Sequence, residues 1–154
     1  MRCSVLTSTA ILILTATGCS HKQVPTQTEL SPTARLMTSI VWQESDVLVL
    51  QQADTLPRVI TNQFPSPERD DKIEFLEDGT YRYHEGATKH DPNHKEIFVT
   101  GTWHVDESKQ LLTLTANESS DTYRIAEVTD STLVLVLPMN TGSKSYSYTL
   151  KFKK

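Results

Sequence analysis

The densest set of metal-competent side chains in this 154-residue sequence is HEGATKHDPNH, which holds His84, Glu85, His90, Asp91 and His94. Imidazole and carboxylate suit zinc or copper, but a tight site needs a closed set of ligands in fixed geometry. Pro92 breaks the helix that would place His90 and His94 on one face, so a solvated loop beside a hairpin is the expected state. His84, His90 and His94 are therefore weak candidates, and the expectation is no metal and no cofactor. The sequence has no nucleophile elbow, no paired acids in a pocket-forming context, no phosphate loop and no zincin motif. His104 alternates with Trp103 on an expected strand, where it faces solvent with no serine or cysteine poised to use it. The chain reads as a non-enzyme. Its two thiols, Cys3 and Cys19, are the reactive groups left to explain.

Arg2 supplies a positive start, and Val5 to Ala16 gives a mostly apolar run of 12 residues. That is shorter than the ~20 residues a membrane-spanning helix needs, so it reads as a signal peptide. Ala16-Thr17-Gly18-Cys19 resembles the bacterial lipobox, with Ala16 where that motif prefers leucine. The resemblance implies cleavage by signal peptidase II just ahead of a cysteine that already carries diacylglycerol. Residues 1–18 are then a lipoprotein signal peptide, and Cys19 is the acylated, palmitate-bearing first residue of the mature chain. The alternative is an ordinary secretory signal with an incidental cysteine. Each buried methylene contributes roughly 0.8 kcal/mol, so two or three acyl chains anchor far more firmly than one. Ser20-His21-Lys22 follows, with no aspartate after the cysteine. By resemblance to the sorting rule of enteric lipoproteins, this implies a lipid-anchored cell-envelope protein of the outer membrane.

Removal of Cys3 leaves the mature domain without a thiol pair, so burial and not a disulfide must hold the fold. A net charge of -4 disfavours nucleic acid and anionic membrane surfaces as partners, leaving lipid on Cys19 as the membrane contact. Residues 19–33 are polar, contain Pro25 and Pro32, and show no period. They are expected to form a tether, whose 14 residues after Cys19 reach at most ~50 Å.

Ser31 as N-cap, Pro32 at the first position and a shared face for Leu36, Met37 and Ile40 predict a short helix. Beyond it the hydrophobic period is two. Tyr146, Tyr148, Leu150 and Phe152 alternate with polar residues, and similar patterns predict strands over 41–50, 72–77, 80–85, 96–105, 110–117, 122–129 and 131–138. Asp78-Gly79 predicts a type I′ hairpin turn and Asn140 to Ser143 a longer connection. About eight consecutive antiparallel strands over residues 34–154 make an all-β, up-and-down meander able to close into a barrel, with a two-sheet sandwich as runner-up.

IEFLEDGTY at 73–81, Gly101-Thr102-Trp103, Leu112-Thr113-Leu114 and TYRIAEVTDSTLVLVL at 122–137 together resemble the lipocalin-like domains of small bacterial envelope lipoproteins. The resemblance spans roughly residues 36–154. It departs from true lipocalins around Trp42, which lacks a glycine two residues earlier, and in having no disulfide and no helix after the last strand. It implies a barrel that holds a small hydrophobic molecule. On the expected inward phase, the lining candidates are Trp103, Tyr81, Tyr83, Tyr123, Tyr146, Tyr148 and Phe152, with Leu56, Val59, Ile60 and Phe64 as a candidate lid. The lid segment could equally be a surface loop with a short strand near Arg58 to Asn62. Two functions remain open at this point. One is a membrane-anchored binder of a hydrophobic ligand or of an envelope partner of unknown identity. The other is a structural or interaction protein whose barrel is filled, with Val134 and Val136 marking a contact face or a seat for the helix.

Overall fold

The computed structural model describes residues 29–154 apart from 90 and 94. The expected signal peptide, Cys19 and most of the expected tether, together with His90 and His94, lie outside the described residues. The short helix α1 runs Pro32–Thr38. Ser31 caps it as expected, its hydroxyl accepting from the Ala34 amide at 3.2 Å. Met37 is fully buried and Ala34 nearly so, and Leu30 and Ile40 pack against the same core.

The rest is strand: β1 (Val41–Gln51), β2 (Arg58–Val59), β3 (Lys72–Phe75), β4 (Thr80–His84), β5 (Ile97–Asp106), β6 (Leu111–Ala116), β7 (Ser119–Val128), β8 (Thr132–Thr141) and β9 (Lys144–Lys153). Each of β3 to β8 pairs antiparallel with the next, β1 pairs with β3, and β9 returns to pair with β1 from Gln43 to Gln51. The meander thus closes into a barrel of eight strands, with β2 as a two-residue tab on β1. Closure leaves no long unpaired edge.

Three hairpins form differently from the sequence expectation. At Asp78-Gly79 only Gly79 has positive φ (83°), and its amide donates to Leu76 O at 3.1 Å. Asp78 instead accepts from the Thr80 amide at 2.9 Å and from its hydroxyl. This side-chain bond holds a type I turn followed by a left-handed glycine, in place of the expected type I′. The type I′ signature falls at Asn117-Glu118, both at positive φ, and it starts β7 at Ser119. The expected long connection at Asn140 to Ser143 is a two-residue turn led by Gly142, with Thr141 paired to Lys144.

The two barrel ends differ in filling. At the end where α1 enters, Trp42, Phe75, Phe152, Ile73, Leu112, Leu133 and Met37 are fully buried. Trp42 Nε1 donates to Met37 O at 2.9 Å, and Trp103 Nε1 to Leu76 O at 3.0 Å, so both indoles bury without an orphaned donor. Glu107, in the β5–β6 turn, accepts from the Thr33 amide and hydroxyl, both at 2.9 Å, and fixes the helix as a plug. The opposite end carries the long connections 52–71 and 85–96.

Two bulges set what faces inward there. Glu44 pairs with Phe152 and Asp46 with Lys151, so Ser45 is an extra residue, its hydroxyl donating to Lys151 O at 3.0 Å. The bulge moves the inward phase from Trp42 and Glu44 to Val47 and Val49. In β5, Tyr83 pairs with Val99 and His84 with Ile97, so Phe98 is the inserted residue.

Candidate functional site

Beyond Gln43, β1 loses β3 as its neighbour, and the connection leading into β3 takes that place. Glu44 N donates to Asp71 O at 3.1 Å, Val47 N to Thr61 Oγ1 at 2.9 Å, and Ile60 N to Val47 O at 2.8 Å. One stretch of barrel wall is therefore loop, and behind it lies a cavity of about 560 Å3. That volume falls within the usual range for small-molecule sites. Its walls are mainly apolar. Val47 comes from β1, Leu150 from β9, Tyr83 from β4, Phe98 and Val99 from β5, and Phe64 and Pro67 from the loop. The Tyr83 and Phe98 rings lie 5.9 Å apart at a shallow 31°.

Four carboxylic acids share these walls: Glu44, Glu68, Asp71 and Glu85. Glu44 shares the inward phase of Trp42, just before the bulge at Ser45, and Glu85 is buried as the β4 phase continues past the strand end. Asp71 is set by its neighbours. Its carboxylate accepts from the Gly86 amide at 3.3 Å, while Asp70 accepts from the Thr88 amide at 3.0 Å and hydroxyl at 2.9 Å. Gly86 permits this docking because a Cβ there would lie 2.2 Å from Asp70 Cγ and 2.4 Å from Asp70 O.

Crowding acids in a partly dry space raises their pKa values. Burial pushes Glu44 up to about 7, with Asp71 and Glu68 adding to the effect. Burial likewise pushes Asp71 up to about 6, opposed by the Gly86 amide and reinforced by Glu85, Asp70 and Glu68. The Tyr83 hydroxyl is pushed well up by burial, and Tyr123 to about 12 by burial with help from Asp121. No group of three or more His, Cys, Asp or Glu among the described residues could hold a metal ion. His84 bonds instead to Glu74, Nε2 to Oε2 at 3.1 Å.

Of the lining candidates read from sequence, Tyr83 borders the cavity. Tyr81, Trp103, Tyr123 and Phe152 are buried in the core, Trp103 edge-on to Phe75 with ring centroids 5.5 Å apart. Tyr146 and Tyr148 sit edge to face on β9, with ring centroids 6.3 Å apart, and Tyr146 bonds to Thr141 and borders a separate hollow beside Gln51 to Ala53. Of the lid candidates, Phe64 lines the cavity, Ile60 braces the loop through its amide, and Leu56 and Val59 are 75% and 61% exposed. Sequence reasoning missed Glu44, Glu68, Asp71 and Phe98, and met Glu85 only as part of the metal-competent run beside His84. The available signals were the phase slip between Trp42 and Val47 and the acid-rich run Glu68 to Asp71 before β3.

Residues 40–135 match the family model of the lipocalin-like domain. No curated protein matches the chain.

Proposed function

We propose that this chain, which belongs to the lipocalin-like domain family, is a lipid-anchored envelope protein whose barrel takes a small, largely hydrophobic molecule through its open end. The observation that carries the reading is the cavity of about 560 Å3, walled by Val47, Phe64, Phe98 and Leu150. Burying an apolar ligand there gains roughly 25 cal/mol per Å2 removed from water, less the cost of immobilising it. Filling is complete only at the helix end, which weighs against the alternative of a solid barrel acting solely as a structural element. The role needs no catalytic residue, since holding and releasing a ligand asks for shape and solvation alone.

Native mass spectrometry of the protein after exposure to envelope extract tests the ligand. A retained small molecule of defined mass is expected, and a bare protein with no thermal shift on adding medium-chain amphiphiles would overturn the reading. Anchoring is tested separately by growth on labelled palmitate. The wild type should take up label and Cys19→Ser should not, and equal labelling of both would remove Cys19 as the anchor.

A further inference from the structure

We propose that the cavity selects an organic cation, an ammonium group on a short apolar body, with the carboxylates of Glu44, Asp71 and Glu68 facing the charge and the Tyr83–Phe98 pair facing its alkyl groups. This rests on the reading that the cavity holds a small molecule and names its chemical class.

Three observations converge on that class. The cavity walls include four acids and no lysine, arginine or histidine among the described residues. The Glu44 carboxyl lies partly buried with no hydrogen-bond or ion-pair partner among the described residues, so its charge has no protein counter-ion. Tyr83 is half-buried along the same wall, and its hydroxyl likewise has no hydrogen-bond partner among the described residues. A ligand that donates N–H bonds from within the cavity would give both groups a partner. Aromatic faces at the same wall attract cations through their ring quadrupoles. A metal ion fits poorly, because the acids do not converge as a ligand set. A fatty acid fits poorly too, because its carboxylate would meet like charge and raise the cost of every acid nearby.

The groups facing Glu44 are Asp71 and Glu68 from the loop, Glu85 after β4, Tyr83 on β4 and Tyr123 on β7. Raising the pH ionises the carboxyls while an alkylamine stays protonated, so attraction grows with pH. The full chain in neutral-lipid nanodiscs, with empty discs as blank, is titrated calorimetrically with octylamine, octanol and octanoate at pH 8 and pH 5. Octylamine should bind about tenfold more tightly than octanol at pH 8, the worth of one charge-assisted contact, and the margin should shrink at pH 5. Glu44→Gln and Asp71→Asn, each still unfolding in one cooperative transition, should shrink it at pH 8. Equal affinity for all three probes would overturn the cation and leave the hydrophobic reading standing. Binding of none would overturn both.

Discussion

The two ends of the barrel apply opposite rules to similar strands. At the helix end Trp42, Phe75, Ile73, Leu112, Leu133 and Phe152 are buried against one another, both indole donors are bonded to backbone, and Glu107 ties the plug in place. At the open end, inward positions of the same β1 and β4 carry Glu44 and Tyr83, and a loop replaces part of the wall. Packing at one end supplies the stability that lets the other hold crowded acids. Sites of function are commonly the less stable parts of a fold for this reason.

Trp42→Ala strikes the sealed end hardest. It opens a void under α1 and orphans Met37 O, and denaturant unfolding should show a loss of about 3–5 kcal/mol. Gly86→Ala probes the open end by steric means. The new Cβ collides with Asp70, and the expected cost is about 1–3 kcal/mol, with Asp71 displaced and octylamine affinity reduced. If binding survived unchanged, the docking of Asp70 onto the 86–88 segment would not position the site.

Charge distinguishes the ends more gently. Burial pushes the Glu44 carboxyl up to about 7 from its ordinary 4.5, so between these pH values the folded state holds the extra proton. Stability from this group is therefore full at low pH and lost as pH rises towards 7. Thermal midpoints should fall from pH 5 to pH 8 by roughly 3 °C more in the wild type than in Glu44→Gln, a modest effect because the site is partly solvated. Identical slopes would place the titration elsewhere. Leu56→Ser should change stability by less than about 0.5 kcal/mol, because this side chain is 75% exposed and stands outside the cavity lining.

Much of the fold follows from local pattern. The alternation in 145–153 produced β9, and Ser31-Pro32 produced the capped helix. The site followed local pattern far less, because three non-local events build it. An inserted residue at Ser45 reverses the inward phase of β1, another at Phe98 points a ring into the cavity, and Asp70 docks onto a segment 18 positions later. A period-two reading carries one phase along a strand and so passes over both bulges. Tyr83 was legible because β4 keeps its phase; Glu44 was not, because β1 does not.

The return of β9 to β1 has a consequence for how the chain is made. Until synthesis passes Lys153, β1 and β8 both have open edges, and seven of the eight barrel strands form at best a curled, adhesive sheet. A nascent chain of this topology cannot lock itself shut early. The ring of hydrogen bonds is thus completed by the last strand made, and nothing short of the whole domain can adopt the finished fold.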